Sequence, residues 1–230
     1  VQPSAAKGGE ATWRALVGID LDMKPGTYTV IVNSAKDSSV GTERELVIGP
    51  KTFPTRKLTV DQAFVTPPQS EQARIAADAK LLEQTWRSSP PDRLWSGPFV
   101  RPVPQEANSR FGSRSIFNGK KLNPHGGADF MSPAGTPVHA PNAGRVVVAR
   151  NLYFSGNTVI IDHGLGLFST LAHFSEIDVR EGDRVEAGAV VGKVGATGRV
   201  TGPHLHWAVR ANDARIDPIA VLALLGSRSQ

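Results

Sequence analysis

The sequence predicts a mainly β protein: a small N-terminal β-sandwich, a helical connector and a larger C-terminal antiparallel β domain. Three observations carry this. The 23 glycines and 17 prolines among 230 residues exceed the roughly 12% that these two types usually share, and they follow no collagen-like period, so turns are frequent. Val, Ile, Thr and aromatic residues come in short runs bounded by Gly, Pro, Ser and Asp clusters, as in pleated strands between tight turns. Only one long stretch, near residues 70–87, repeats its apolar side chains at helical spacing.

Taken in order, residues 1–11 are small and polar and read as a flexible leader. Trp13–Ile19, Thr27–Val32, Glu43–Ile48 and Arg56–Val60 read as strands, with a turn at Lys24-Pro25-Gly26. Four strands within 12–65 suggest an immunoglobulin-like sandwich, without the cysteine pair of antibody domains, serving to position its neighbour. Residues 66–97 form the connector. There Ile75, Ala79, Leu82 and Trp86 fall at i, i+4, i+7 and i+11, one face of a helix from about Ser70 to Arg87 that Pro90-Pro91 ends. In 98–230 the strands are Val138–Ala140, Gly144–Val148, Asn157–Ile161, Leu167–Leu171, Val185, Val190–Val194 and His204–Val209, and only Pro218–Leu225 reads as helix.

Composition narrows the chemistry. No apolar run approaches the ~18 residues of a bilayer-spanning helix. Cysteine is absent, which excludes disulfides, thiol nucleophiles and sulfur-ligated metals. The net charge of +5 suits an acidic polymer, but it is dispersed and comes with no nucleic-acid-binding pattern, so no nucleic acid partner is expected. The chain starts at Val1; a signal segment removed ahead of it is expected, with the mature protein periplasmic or secreted. A membrane tether before Val1 is left open, and a monomer is expected.

All six histidines lie between His125 and His206. In a strand, His204 and His206 project from one face and Leu205 and Trp207 from the other. His125 and Asp129 stand four apart, but Pro124, Gly126 and Gly127 argue against helix; a loop entering a strand lets them converge. Histidine and carboxylate are standard zinc ligands, and three protein ligands with one open position is the usual catalytic arrangement. With His173 in the same cysteine-free domain, metal binding is the expected chemistry. His139 and His163 read as packed or hydrogen-bonded structural histidines.

These residues carry a resemblance. His125-Gly-Gly-Ala-Asp129, Ile161-Asp-His-Gly164, Ala172-His173 and Thr197-Gly-Arg-Val-Thr-Gly-Pro-His-Leu-His-Trp207 resemble the lysostaphin/LytM-type zinc endopeptidases of bacterial cell walls, as do Ser109–Gly119 and Pro133–Val138. The likeness covers about 99–222; the N-terminal part is similar to the pre-domain of Gram-negative members, less specifically. The resemblance implies a groove-shaped β-sheet domain that hydrolyses peptide bonds in peptidoglycan stems or cross-bridges. It implies Zn2+ held by His125, Asp129 and His206, with His173 and His204 as the catalytic histidines. All five positions are filled, unlike in degenerate members that activate other hydrolases. Leu171-Ala-His173-Phe174 departs from the commoner Tyr and Leu around this histidine, which touches packing more than chemistry.

Two other readings compete. One is a non-catalytic peptidoglycan-binding or regulatory module with a zinc site. The other takes Val185–Gly195 for a lipoyl- or biotinyl-carrier hairpin, but Lys193 then falls inside a strand rather than at a turn tip. The connector also raises the expectation that the N-terminal part sits near the groove and restricts access.

Overall fold

The computed structural model describes residues 2–4, 12–33, 41–109, 111–121 and 124–226, so the expected leader falls largely outside it. Strands β1 (Gln2–Ser4) and β2 (Thr12–Arg14) pair antiparallel. Strands β3 (Gly26–Asn33) and β4 (Gly41–Ile48) form an antiparallel hairpin in register from Gly26↔Ile48 to Asn33↔Gly41. On β3, Tyr28, Val30 and Val32 are half-buried, while Ile31 on the other face is exposed. Strand β5 (Thr55–Leu58) then leaves this segment and runs parallel to Arg114–Phe117 of the C-terminal part.

The sandwich expected over 12–65 is therefore corrected among the described residues. Thr27–Val32 and Glu43–Ile48 form strands, Arg56–Val60 is strand to Leu58, and Trp13–Ile19 only to Arg14; β3 and β4 pair as a hairpin, and β5 is an addition to the next domain. Alternation identifies a strand without identifying its partner. A half-buried ion pair anchors the segment as well: the Asp20 carboxylate accepts hydrogen bonds from Arg215 N, Nε and Nη2 at 2.8, 3.0 and 2.7 Å. These Arg215 bonds outweigh desolvation and hold the Asp20 carboxyl well below the usual carboxylate range. Its contribution is therefore complete above about pH 4 and declines as pH falls further. Asp20→Asn is expected to cost about 1–2 kcal/mol in denaturant unfolding at pH 7, a gap that narrows in acid. Equal stability of the two proteins at pH 7 would remove the anchoring role.

Helix α1 (Gln72–Trp86) follows a 3-10 turn at Gln69–Glu71 and stops before Pro90. Ile75, Leu82 and Trp86 of the expected stripe are half-buried, whereas Ala79 is exposed. Leu81, Leu82 and Trp86 pack on buried Val148, Ile160 and Phe168, with Trp86 edge-on to Phe168 at 5.2 Å. The stripe thus docks on the C-terminal domain.

That domain contains β6 (Ala107–Ser109), β7 (Arg114–Phe117), β8 (Lys120–Lys121), β9 (Gly127–Phe130), β10 (Pro137–His139) and β11 (Gly144–Leu152). After them come β12 (Gly156–Asp162), β13 (Leu167–Ile177), β14 (Arg184–Val185), β15 (Val190–Val194), β16 (Leu205–Ala211), β17 (Ala214–Ile216) and helix α2 (Pro218–Leu225). The main sheet runs β14-β11-β12-β13-β16-β9-β6, antiparallel at every pairing; β17 borders β16, and a β10–β15 ladder branches from β13. The mainly β expectation holds. Phe130, Val159, Ile161, Leu171, Leu205 and Trp207 fill the core beneath the sheet. Asp217 caps α2 by accepting from Ile219 N, and Pro218 opens the helix. Lys193 lies within β15, ion-paired to Glu176 at 2.7 Å, which rules out the carrier hairpin.

Candidate metal centre

Two neighbouring strands build the site. On β16, alternation buries Leu205 and Trp207 completely and turns His206 outward; on β9, Ala128 and Phe130 point in and Asp129 out. The register pairs His206 with Asp129, so the two polar side chains stand directly opposite one another. Gly127 permits this close pairing: a Cβ there would lie 2.3 Å from Trp207 O and 2.9 Å from His206 Cε1. His125 enters just ahead of β9, its backbone fixed by Gly112 N donating to His125 O and His125 N donating to Ser113 O, both at 2.8 Å.

The three side chains meet. His125 Nε2 lies 2.9 Å from Asp129 Oδ1 and 3.0 Å from His206 Nδ1, and His206 Nδ1 lies 2.8 Å from Asp129 Oδ1. Hydrogen bonds alone satisfy this triangle poorly. If both imidazoles donate to Asp129, their two N–H groups face each other across the third edge. One cation among three lone pairs removes the conflict, so the donor set fits a metal. Burial opposes ionisation of Asp129, but the bonds to His125 and His206 outweigh it and hold the carboxyl far below its usual range. Burial lowers the His206 pKa, against the pull of Asp129. At neutral pH the pair is thus carboxylate and neutral imidazole, the protonation states that ligands require.

Two more histidines border the cluster. His204 Nδ1 lies 2.9 Å from Gly202 O, and His173 Nδ1 lies 2.8 Å from Thr197 O. A carbonyl only accepts, so each Nδ1 carries the proton and each Nε2 keeps its lone pair when the ring is neutral. His204 Nε2 is 3.7 Å from Asp129 Oδ1, and the His173 and His204 rings stand 4.8 Å apart. Burial, aided by neighbouring His206 and His204, lowers the His173 pKa to about 3. His173 is the extra residue of a β-bulge: Ala172 pairs with Thr158 and Phe174 with Asn157, and His173 is left at φ +70. Strain of this kind marks a residue whose direction matters.

All five histidine and aspartate positions singled out in the sequence line one cavity of about 360 Å³. The sequence reading missed its other walls, notably Arg56 and Leu58 of β5 and Phe117, Phe154 and Arg199. A larger cavity of about 480 Å³, beside Arg145 and Arg184, holds none of the histidines. His163 is fully buried, donating to Ala143 O and accepting from Ser169 Oγ, and His139 bonds Gly188 O; neither lines the site.

Residues 123–218 match the sequence profile described as Peptidase family M23. A crystal structure of a putative M23 peptidase from Pseudomonas aeruginosa is 36% identical, covering 96% of this chain and 83% of that one, with a TM-score of 0.75. The chain belongs to peptidase family M23. A zinc-containing peptidase from Vibrio cholerae is 31% identical over 53% of the M23 chain and 39% of its own, with a TM-score of 0.50. The peptidoglycan DD-endopeptidase ShyA of Vibrio cholerae is 38% identical over 127 residues, 55% of this chain and 27% of its own length. The chain spans about a quarter of the length of the curated M23 relatives it matches. The M23 match contains all five candidate site residues.

Proposed function

We propose that this chain is a zinc-dependent endopeptidase that hydrolyses peptide bonds in the stems or cross-bridges of bacterial peptidoglycan, acting in the cell envelope. One observation carries the reading: His125, Asp129 and His206 converge within 2.8–3.0 Å beside two histidines that line the same cavity. The relatives named peptidoglycan DD-endopeptidases support the substrate class.

In this reading His125, Asp129 and His206 would hold the metal, which when bound would supply Lewis acidity to the site. Asp129 supplies the negative charge of the ligand set, beside the two imidazoles. His173 and His204 are held by their Nδ1–H bonds with Nε2 free, placed to accept a proton from water and return it to the departing amine. Protonated, either ring donates Nε2–H toward a developing oxyanion.

The test is digestion of purified sacculi with and without chelator, followed by fragment analysis. Cross-link fragments are expected to appear, to fall by about 10²-fold or more under chelation, and to return with added zinc. Binding to sacculi without release would favour a non-catalytic wall-binding module instead.

A further inference from the structure

The cavity holds a cation that the ligand and proton-transfer roles do not use. Arg199 lies in the loop between β15 and β16, and its N–H donates to Phe154 O at 2.8 Å. Gly198 before it sits at φ +78, where a Cβ would lie 2.4 Å from Gly156 N. The loop is thus pinned to the β11–β12 turn. The Arg199 guanidinium stands 5.0 Å from the Phe154 ring centroid and 5.5 Å from that of Phe117. The side chain is half-buried, and among the described residues its guanidinium meets no carboxylate or other hydrogen-bond acceptor. Asp129, the carboxylate of this cavity, is engaged by His125 and His206, and Arg56 adds a second positive charge to the walls.

Removing an unpaired guanidinium from water is costly, and two aromatic faces offset that only in part. The same rings hold it rigid and facing the cavity. Its planar fork of N–H donors matches a carboxylate bidentately, which an ammonium does not. We infer that Arg199 is a specificity-determining residue, binding a free carboxylate of the peptide and selecting acid-bearing peptides over their amides. The inference rests on the peptidase reading and names the substrate charge that this reading leaves open.

The probe is a cross-linked peptide dimer isolated from bacterial wall, used as the acid and after conversion of its carboxylates to carboxamides. Binding is measured by calorimetry and cleavage by chromatography, for the parent, Arg199→Gln, Arg199→Lys and Arg87→Gln. Arg87 pairs with Glu83 at the exposed end of α1, so its variant controls for net charge. The parent is expected to bind and cleave the acid form at least about tenfold better than the amide. Arg199→Gln should lose about tenfold or more on the acid and less than about threefold on the amide, with Arg199→Lys between and Arg87→Gln unchanged.

Equal losses on both forms, or none on the acid, would overturn the inference and leave Arg199 as a packing residue of its loop. If Arg199→Gln does not fold, Arg199→Lys decides by the same comparison. Failure of the peptidase reading looks different: the acid form is bound preferentially through Arg199, yet the parent cleaves neither form.

Discussion

His206→Ala is expected to give a folded protein that holds no metal and cleaves no peptidoglycan. Its side chain faces outward from β16, while Leu205 and Trp207 on either side keep their places in the core. The β9–β16 ladder is made by backbone groups, so the substitution leaves the sheet paired. What goes is one of three converging donor atoms. His125 and Asp129 remain 2.9 Å apart as a hydrogen-bonded pair, with no third ligand to hold a cation. A bound metal would supply several kcal/mol of transition-state stabilisation, so turnover should fall by about 10³-fold or more. Metal analysis of the purified variant, circular dichroism and sacculus digestion check the three parts. A variant with one metal per chain and substantial turnover would remove His206 from the ligand set.

The contrast between what the sequence reveals and what it conceals runs along the line between local and non-local structure. The facing of His204 and His206 is local, set by a period of two, and Leu205 and Trp207 betray the buried side. Helix α2 is local too, with Asp217 and Pro218 at its start. That Asp129 stands opposite His206 is not local, since it depends on β9 choosing β16 across 77 residues. The resemblance implies that Asp129 and His206 share one metal, but neither it nor periodicity places β9 beside β16. The parallel pairing of β5 with β7 follows no signal in either strand, so the sequence alone suggests a small sandwich there and gives no sign that Arg56 walls the site. The bulge at His173 is likewise silent, because no glycine marks the positive φ.

The second large effect separates binding from turnover. His204→Ala is expected to retain metal and lose about 10²–10⁴-fold in rate, the usual share of general acid–base catalysis. His204 Nε2 lies 3.7 Å from Asp129 Oδ1, outside the triangle of donor atoms closed at 2.8–3.0 Å. Its ring is placed by a bond from its own Nδ1–H to Gly202 O, so alanine releases only that local contact. His173 needs a different substitution. At φ +70 an alanine would carry backbone strain of its own, whereas asparagine tolerates the left-handed region. His173→Asn should therefore report the loss of the ring rather than a collapsed bulge, with metal again retained.

The rings stand 4.8 Å apart over one site, so the two losses should not multiply. Groups that act as a unit are non-additive, and the double variant should fall within about tenfold of the slower single variant. Full multiplication would mean that the histidines serve separate steps. Metal-replete His204→Ala with near-parental digestion of sacculi would remove His204 from the chemistry altogether.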